Sequence, residues 1–139
     1  MIVVDVNVLA YLLIEGERTR GSESVLAADA EWAAPLLWRS EWRNVLAGHL
    51  WRGELDRAAV LERLDAAEEL YRGREYLVDG ARVLDLVAAS PCSAYDCEYV
   101  ALAETLDVPL VTNDGPVLAA FPDRALKPEA FVVGEGGPA

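Results

Sequence analysis

The sequence predicts one α/β domain, a three-layer α/β/α sandwich around a central, mainly parallel sheet, and three observations carry that prediction. Ile2, Val3 and Val4 form an apolar, β-branched run that stops at Asp5. VPLVT at 108–112 is a second such run, ending just before Asp114. Strands covered on both faces read as unbroken apolar runs of this kind. The segments between them repeat apolar residues at helical spacing, so strands alternate with helices as a parallel sheet requires. For 139 residues, surface scaling gives roughly 7,000 Å² folded against roughly 22,000 Å² extended, enough burial for a single core. The domain is expected over residues 1–134, with 135–139 as a flexible tail.

After Asp5, VLAYLLI at 8–14 reads as a short helix, EGERTRG as a polar turn, and SESVLAADA as a second helix opening on Ser22 or Ser24. AAPLLW at 33–38 is the expected second strand. From Arg39 to Trp51, Trp42, Val45, Leu46, His49 and Leu50 fall on one helical face, and Gly53 closes that helix. Asp56 to Tyr71 repeats the pattern through Ala59, Val60, Leu64, Ala67 and Leu70, with charges around the rest of the circumference. EYLV at 75–78 is a short edge strand, and GARVLDLVAA at 80–89 a further helix. Ser93 followed three residues later by Asp96 is a helix start in the manner of a capping box, so Asp96 belongs to the first turn of a helix ending near Leu106. Phe131, Val132 and Val133 are expected to form the last strand.

Composition narrows the function classes. Against 24 Asp and Glu there are 12 Lys and Arg, a formal charge of -12. Such a balance opposes broad attraction to a polyanion and argues against a plain nucleic-acid-binding module. It suits a basic protein partner, and it leaves room for a nuclease whose acids are neutralised by metal. The opening MIVVDVNVLAYLL has no basic leader and is broken by Asp5 and Asn7, so neither a signal peptide nor a membrane span is expected, and the location is read as cytoplasmic. Cys92 and Cys97, with one histidine in the chain, do not make a zinc pattern and are read as reduced, buried thiols.

The chemistry is carried by carboxylates. In an open parallel sheet the carboxyl ends of the strands share one rim, which brings Asp5 and Asp114 together despite their separation in sequence. Asp96 starts the helix that leads into the late strand, and Glu41 lies in the first turn of the helix after the second strand, so both begin on the same rim. Four like charges in one cleft disfavour one another, and a hard divalent cation with oxygen ligands resolves the conflict. Mg²⁺ fits best, with Mn²⁺ able to substitute. Such an ion polarises a phosphate oxygen and lowers the pKa of bound water, which points to phosphodiester hydrolysis. Asn7 and Thr112 are expected to orient Asp5 or its neighbours from behind. Arg39 and Arg43 are the candidate phosphate contacts, or else the partners of nearby acids.

At these residues the chain resembles a known family. VVDVNVL at 3–9, Glu41 of SEWRN, YDCEYVALAE at 95–104 and LVTND at 110–114 are similar to the signature segments of PIN domains, and among them look most like the VapC toxins. The resemblance spans nearly the whole chain and implies a PIN-like parallel-sheet fold and Mg²⁺- or Mn²⁺-dependent endoribonuclease activity. Asp5, Glu41, Asp96 and Asp114 match the acidic quartet, Asn7 the polar position after the first aspartate, and Thr112 the hydroxyl before the last. A homodimer is implied, as is a cognate antitoxin that presents a basic residue to the acids.

Blander roles are assigned elsewhere. Asn113 and Gly115 read as a tight turn, His49 as a packing or surface hydrogen-bonding residue, and Trp32, Trp38, Trp42 and Trp51 as core or dimer packing in preference to base stacking. Three rival functions remain. A catalytically silent module of the same fold is one. An aspartyl-nucleophile phosphatase is weakened by Asn7 in place of a second aspartate and by Lys127 as the sole lysine. A phosphoacceptor signalling domain would need an acidic pair that is missing beside Asp5.

Overall fold

Apolar runs too short to stand alone become strands because each is clamped between neighbours. In the computed structural model, which describes residues 1–135, the order is β1 (Ile2–Val4), α1 (Val6–Leu13), α2 (Thr19–Ala28), β2 (Trp32–Pro35), α3 (Trp38–Trp51), α4 (Arg57–Leu70), β3 (Glu75–Tyr76), α5 (Gly80–Ala88), α6 (Ala94–Leu106), β4 (Leu110–Val111), α7 (Gly115–Ala120), β5 (Ala125–Leu126) and α8 (Pro128–Gly134). The sheet order is β3-β2-β1-β4-β5, every pair parallel. β1 lies at its centre, with Val3 beside both Ala33 and Leu110.

The chain builds outward from β1 through β2 to β3, then crosses back to set β4 on the other side of β1. Right-handed crossovers assign α1–α4 to one face and α5–α7 to the other. The packing agrees: α1 touches α2, α3 and α4, whereas α5 packs on α6. Helix α6 lies across β1, β2 and β4, and six of its residues, from Cys97 to Ala103, are buried. This is the three-layer sandwich expected from the sequence.

Helix starts follow side-chain chemistry. Asp5, Asp56, Asp79, Ser93 and Asp114 each accept a backbone N–H at the head of α1, α4, α5, α6 and α7. Ser22 does not cap α2, which begins earlier at Thr19. The Ser22 hydroxyl is buried and donates to the Val8 carbonyl at 2.8 Å, stitching α2 to α1.

The tail end departs from expectation. Phe131, Val132 and Val133 are helical, inside α8, and not a strand. Pro128 sets the first helical φ, and Pro128 and Phe131 share one buried side three residues apart. The fifth strand is instead Ala125–Leu126, two residues that carry no run or alternation to find. Helix α7 was hidden inside what read as a turn around Asn113 and Gly115. Strand β2 covers 32–35 and stops at Pro35, so Leu36 and Leu37 leave the sheet and Trp38 opens α3. The proposed tail 135–139 lies outside the described residues apart from Glu135.

Trp32, Trp38 and Trp42 are fully buried, as expected for packing residues. Trp38 stacks on Tyr71 with centroids 4.6 Å apart, and each indole N–H finds an acceptor: Asp29 O, Glu75 Oε1 and Arg63 O respectively. Trp51 departs from this set, 81% exposed at the end of α3. Trp42→Ala should therefore cost about 3–5 kcal/mol, whereas Trp51→Ala should stay within about 0.5 kcal/mol. Urea denaturation of the two variants beside wild type checks both values.

Candidate active site

The reversal of strand order between β1 and β4 leaves a crevice at their carboxyl ends, the place where open α/β sheets bind ligands. Asp5 sits there as the cap of α1. Its Oδ1 accepts the Val6 N–H at 2.7 Å. Its Oδ2 accepts the Thr112 hydroxyl at 2.7 Å and the Asn7 amide at 3.4 Å. Thr112 is fully buried, and its oxygen also accepts the Asp114 N–H at 3.0 Å. Asn7 reaches the same hydroxyl at 3.4 Å, while its carbonyl accepts the Asn113 N–H at 3.3 Å. Asn7 and Thr112 thus hold Asp5 and lace β1 to the loop after β4, the supporting part assigned to them from sequence.

Asp114 caps α7 by accepting the Val117 N–H at 3.0 Å. Asp96 lies in the first turn of α6 behind its cap Ser93, half-buried. Glu41, in the first turn of α3, accepts the Tyr99 hydroxyl at 2.6 Å through Oε1. Tyr99 is buried on α6 and was not singled out from sequence. Its place three residues after Asp96, on the same helical face, is the signal that points to it.

Asp5 feels the charges of Asp96 and Asp114, and Glu41 those of Asp5 and Asp96. Burial pushes Asp5 up to about 6 against the pull of the Thr112 hydroxyl and the Val6 N–H, and the charges of Asp96 and Asp114 push it further. Glu41 is raised to about 7, first by burial, with Asp5, Asp96 and Glu98 adding repulsion and Tyr99 opposing. Glu98 is a fifth acid at this rim, itself raised by burial. Burial beside these anions holds the phenols of Tyr71 and Tyr99 well above their usual range, so both remain donors. Tyr71 donates to the Val4 carbonyl at 3.1 Å, immediately before Asp5.

A hard divalent cation suits this donor set, which offers only carboxylate oxygens and destabilises its own charge. Asp5, Glu41, Asp96 and Asp114 are the residues that could hold one. Among the described residues, however, no three His, Cys, Asp or Glu side chains already form a group able to hold an ion. The acids share a field before they share a ligand shell.

Arg39 is committed elsewhere. It grips Glu75 through Nε at 2.6 Å and Nη2 at 2.9 Å, reaches Glu68 at 3.3 Å and lies over the Trp38 ring. Of the two roles open to it from sequence, acid pairing is the one observed. Arg43 is exposed, touches the Ser40 hydroxyl at 3.3 Å and stays clear of ion pairs among the described residues. His49 meets Glu54 at 2.9 Å, a surface hydrogen bond remote from the acids in the way expected of it. Cys92 and Cys97 are buried free thiols, raised by that burial. A cavity of about 600 Å³ lies between α1, α2 and α4 and is lined chiefly by Leu12, Leu13, Leu26 and Leu70. None of the four candidate acids lines it.

The sequence matches the family model for the PIN domain over residues 2–118. The chain belongs to the PIN domain family. Solved structures share the fold of this PIN domain. PAE2754 from Pyrobaculum aerophilum is 22% identical, with 96% of this chain and 95% of that one covered at a TM-score of 0.75. FitAcB from Neisseria gonorrhoeae is 19% identical, covering 93% and 99% at 0.74. A toxin-antitoxin complex from Klebsiella pneumoniae is 19% identical, covering 92% and 98% at 0.68. Comparison of the sequence with curated proteins gave no match. Among the described residues no helix is long and apolar enough to cross a membrane.

The raised carboxyls give the metal-free protein a defined pH response. A folded pKa above the unfolded value means the native state binds protons more readily, so this contribution is full below about pH 4 and is lost as pH rises through about 6 to 7. Urea unfolding in EDTA should show stability falling between pH 5 and pH 8, less steeply for Asp5→Asn. Saturating Mn²⁺ should restore more stability at pH 7.5 than at pH 5, because the ion binds the native, ionised site. Equal slopes for the two proteins would show that Asp5 does not sit in a shared anionic field.

Proposed function

We propose that this PIN domain is a metal-dependent endoribonuclease and the toxin of a toxin-antitoxin pair. PIN membership supports a nuclease. What supports the reading is the charge coupling of Asp5 to Asp96 and Asp114 and of Glu41 to Asp5 and Asp96 at the β1–β4 crevice, where Asp5 and Glu41 are raised to about 6 and about 7. Mg²⁺, or Mn²⁺ in its place, would be held by these four acids and would supply Lewis-acid polarisation of the phosphate and of a water. Thr112 and Asn7 hold Asp5 through its Oδ2. Tyr99 holds Glu41 Oε1, which leaves Oε2 to accept a proton from the attacking water.

A basic antitoxin is the proposed partner, supported by the net charge of -12 and by the likeness to the Klebsiella pneumoniae complex. Its arginine or lysine would occupy the acid rim and compete with the cation. A homodimer and a cytoplasmic location complete the proposal.

Purified protein freed of any partner should cut single-stranded or looped RNA internally with Mg²⁺ or Mn²⁺ and stop in EDTA. Gel analysis of defined RNAs reads this, with Asp96→Asn as the control for contaminating nuclease. Equal cleavage by that variant would sink the assignment, and the silent-module reading would replace it if neither protein cut.

Co-purification with the product of an adjacent gene, followed by cross-linking, should place the partner's basic segment near Glu41 and Asp96. Contacts wholly remote from that rim would remove the antitoxin proposal while leaving the nuclease intact.

A further inference from the structure

With Arg39 committed to Glu75 and Glu68, a grip on the substrate must come from another place. On the β5 side of the acid rim lies a cavity of about 140 Å³ whose walls include Tyr11, Glu17, Arg18, Asn113 and Glu129. Asn113 immediately precedes Asp114, and its N–H donates to Asn7, so this wall is chained to the hydrogen bonds that hold Asp5. The Arg18 guanidinium lies over the Tyr11 ring, 5.3 Å from its centroid, with Nη1 3.5 Å from the phenol oxygen. Arg18, Glu17 and Glu129 share the cavity, yet none of them forms an ion pair among the described residues. The backbone beneath is pinned: the Thr19 hydroxyl donates to Tyr11 O at 2.6 Å and Ser22 to Val8 O at 2.8 Å.

A planar cation over an aromatic ring is a surface on which an unstacked nucleobase can lie. The carboxylates of Glu17 and Glu129 repel phosphate, but they accept hydrogen bonds from exocyclic amino groups. The Asn113 side chain can both donate and accept. We propose that this cavity is a nucleobase-binding subsite for the RNA substrate, holding one base beside the acid rim against the Tyr11–Arg18 pair. It favours adenine, cytosine or guanine, whose amino groups can reach both carboxylates, over uracil, whose one base donor is the N3–H. The subsite rests on the endoribonuclease reading and adds to it the recognition of a base.

The test is fluorescence anisotropy with short labelled single-stranded RNAs of A, C or U, in EDTA so that nothing is cut. Wild type should bind the A and C oligomers more tightly than U. Arg18→Ala and Tyr11→Leu should each weaken binding of the A oligomer about 10-fold, the scale of one lost base stack. Arg72→Ala, which removes an exposed pair with Glu69, should change nothing. On an A oligomer with abasic positions, Arg18→Ala should cost little. Thermal melting confirms that the variants fold, and the exposed Arg18 decides the matter if Tyr11→Leu does not. Wild-type affinity in both variants, with Mg²⁺-dependent cleavage intact, would overturn the subsite and spare the nuclease. An equal loss for Arg18→Ala on the abasic oligomer would make Arg18 a phosphate contact and overturn base recognition, as would equal binding of A and U. Failure of the nuclease reading looks different: wild type does not cut RNA with Mg²⁺ or Mn²⁺, whether or not it binds.

Discussion

The hydrogen bond from Thr112 to Asp5 across the seam between β1 and β4 is the contact on which the site depends. β1 is three residues long and buried on every side, so its end has no freedom to adjust. Pairing with β4 brings Thr112 level with Asp5 and directs the next loop, carrying Asp114, over the same crevice. The direction in which strands are added to the sheet reverses only at this seam. Sequence neighbours such as Val4 and Asp5 therefore divide between core and crevice, while residues more than a hundred positions apart share one hydrogen-bond network.

That network works against an electrostatic penalty. Asp5 and Glu41 are raised by burial and by other carboxylates, a cost the native state bears at neutral pH. One buried phenol moderates it at Glu41, and a second pins the backbone beside Asp5. Tyr99 donates to Glu41, and Tyr71 donates to the carbonyl next to Asp5, both kept protonated by the surroundings that raise the acids. Tyr71 also closes the aromatic cluster with Trp38 and Trp32, so the apolar core and the acid rim share a residue. Packing that stabilises the sandwich is the same packing that holds the anions in place.

The distribution of cations gives the acidity a more specific meaning than the net charge alone. Arg39, Arg82 and Arg124 are paired with Glu75, Glu104 and Asp107, and Arg63 and Arg74 donate to backbone carbonyls. With a net charge of -12, the cations left outside ion pairs are outnumbered by acids and give no long-range attraction for a polyanion. On the proposed endoribonuclease reading, recognition of RNA by such a surface would be local, through stacking and base edges, and not through a broad basic track.

The sequence by itself determined the alternation of strands and helices, the helix starts at Asp56 and Ser93, and the four acids at the ends of their elements. Each was legible because its cause is local: apolar run, helical period or capping side chain. It did not determine the tail, where Phe131, Val132 and Val133 have strand-like side chains but Pro128 starts a helix and the sheet edge is already filled by Ala125 and Leu126. Arg39 stood equally near phosphate and acid roles until β3 brought Glu75 beside α3. Tyr99 was visible only as one more aromatic on α6, because its partner Glu41 lies 58 residues away. Local chemistry chose the elements; which side chains met across them was decided by strand order and crossover, since only tertiary packing sets distances between residues far apart in the chain.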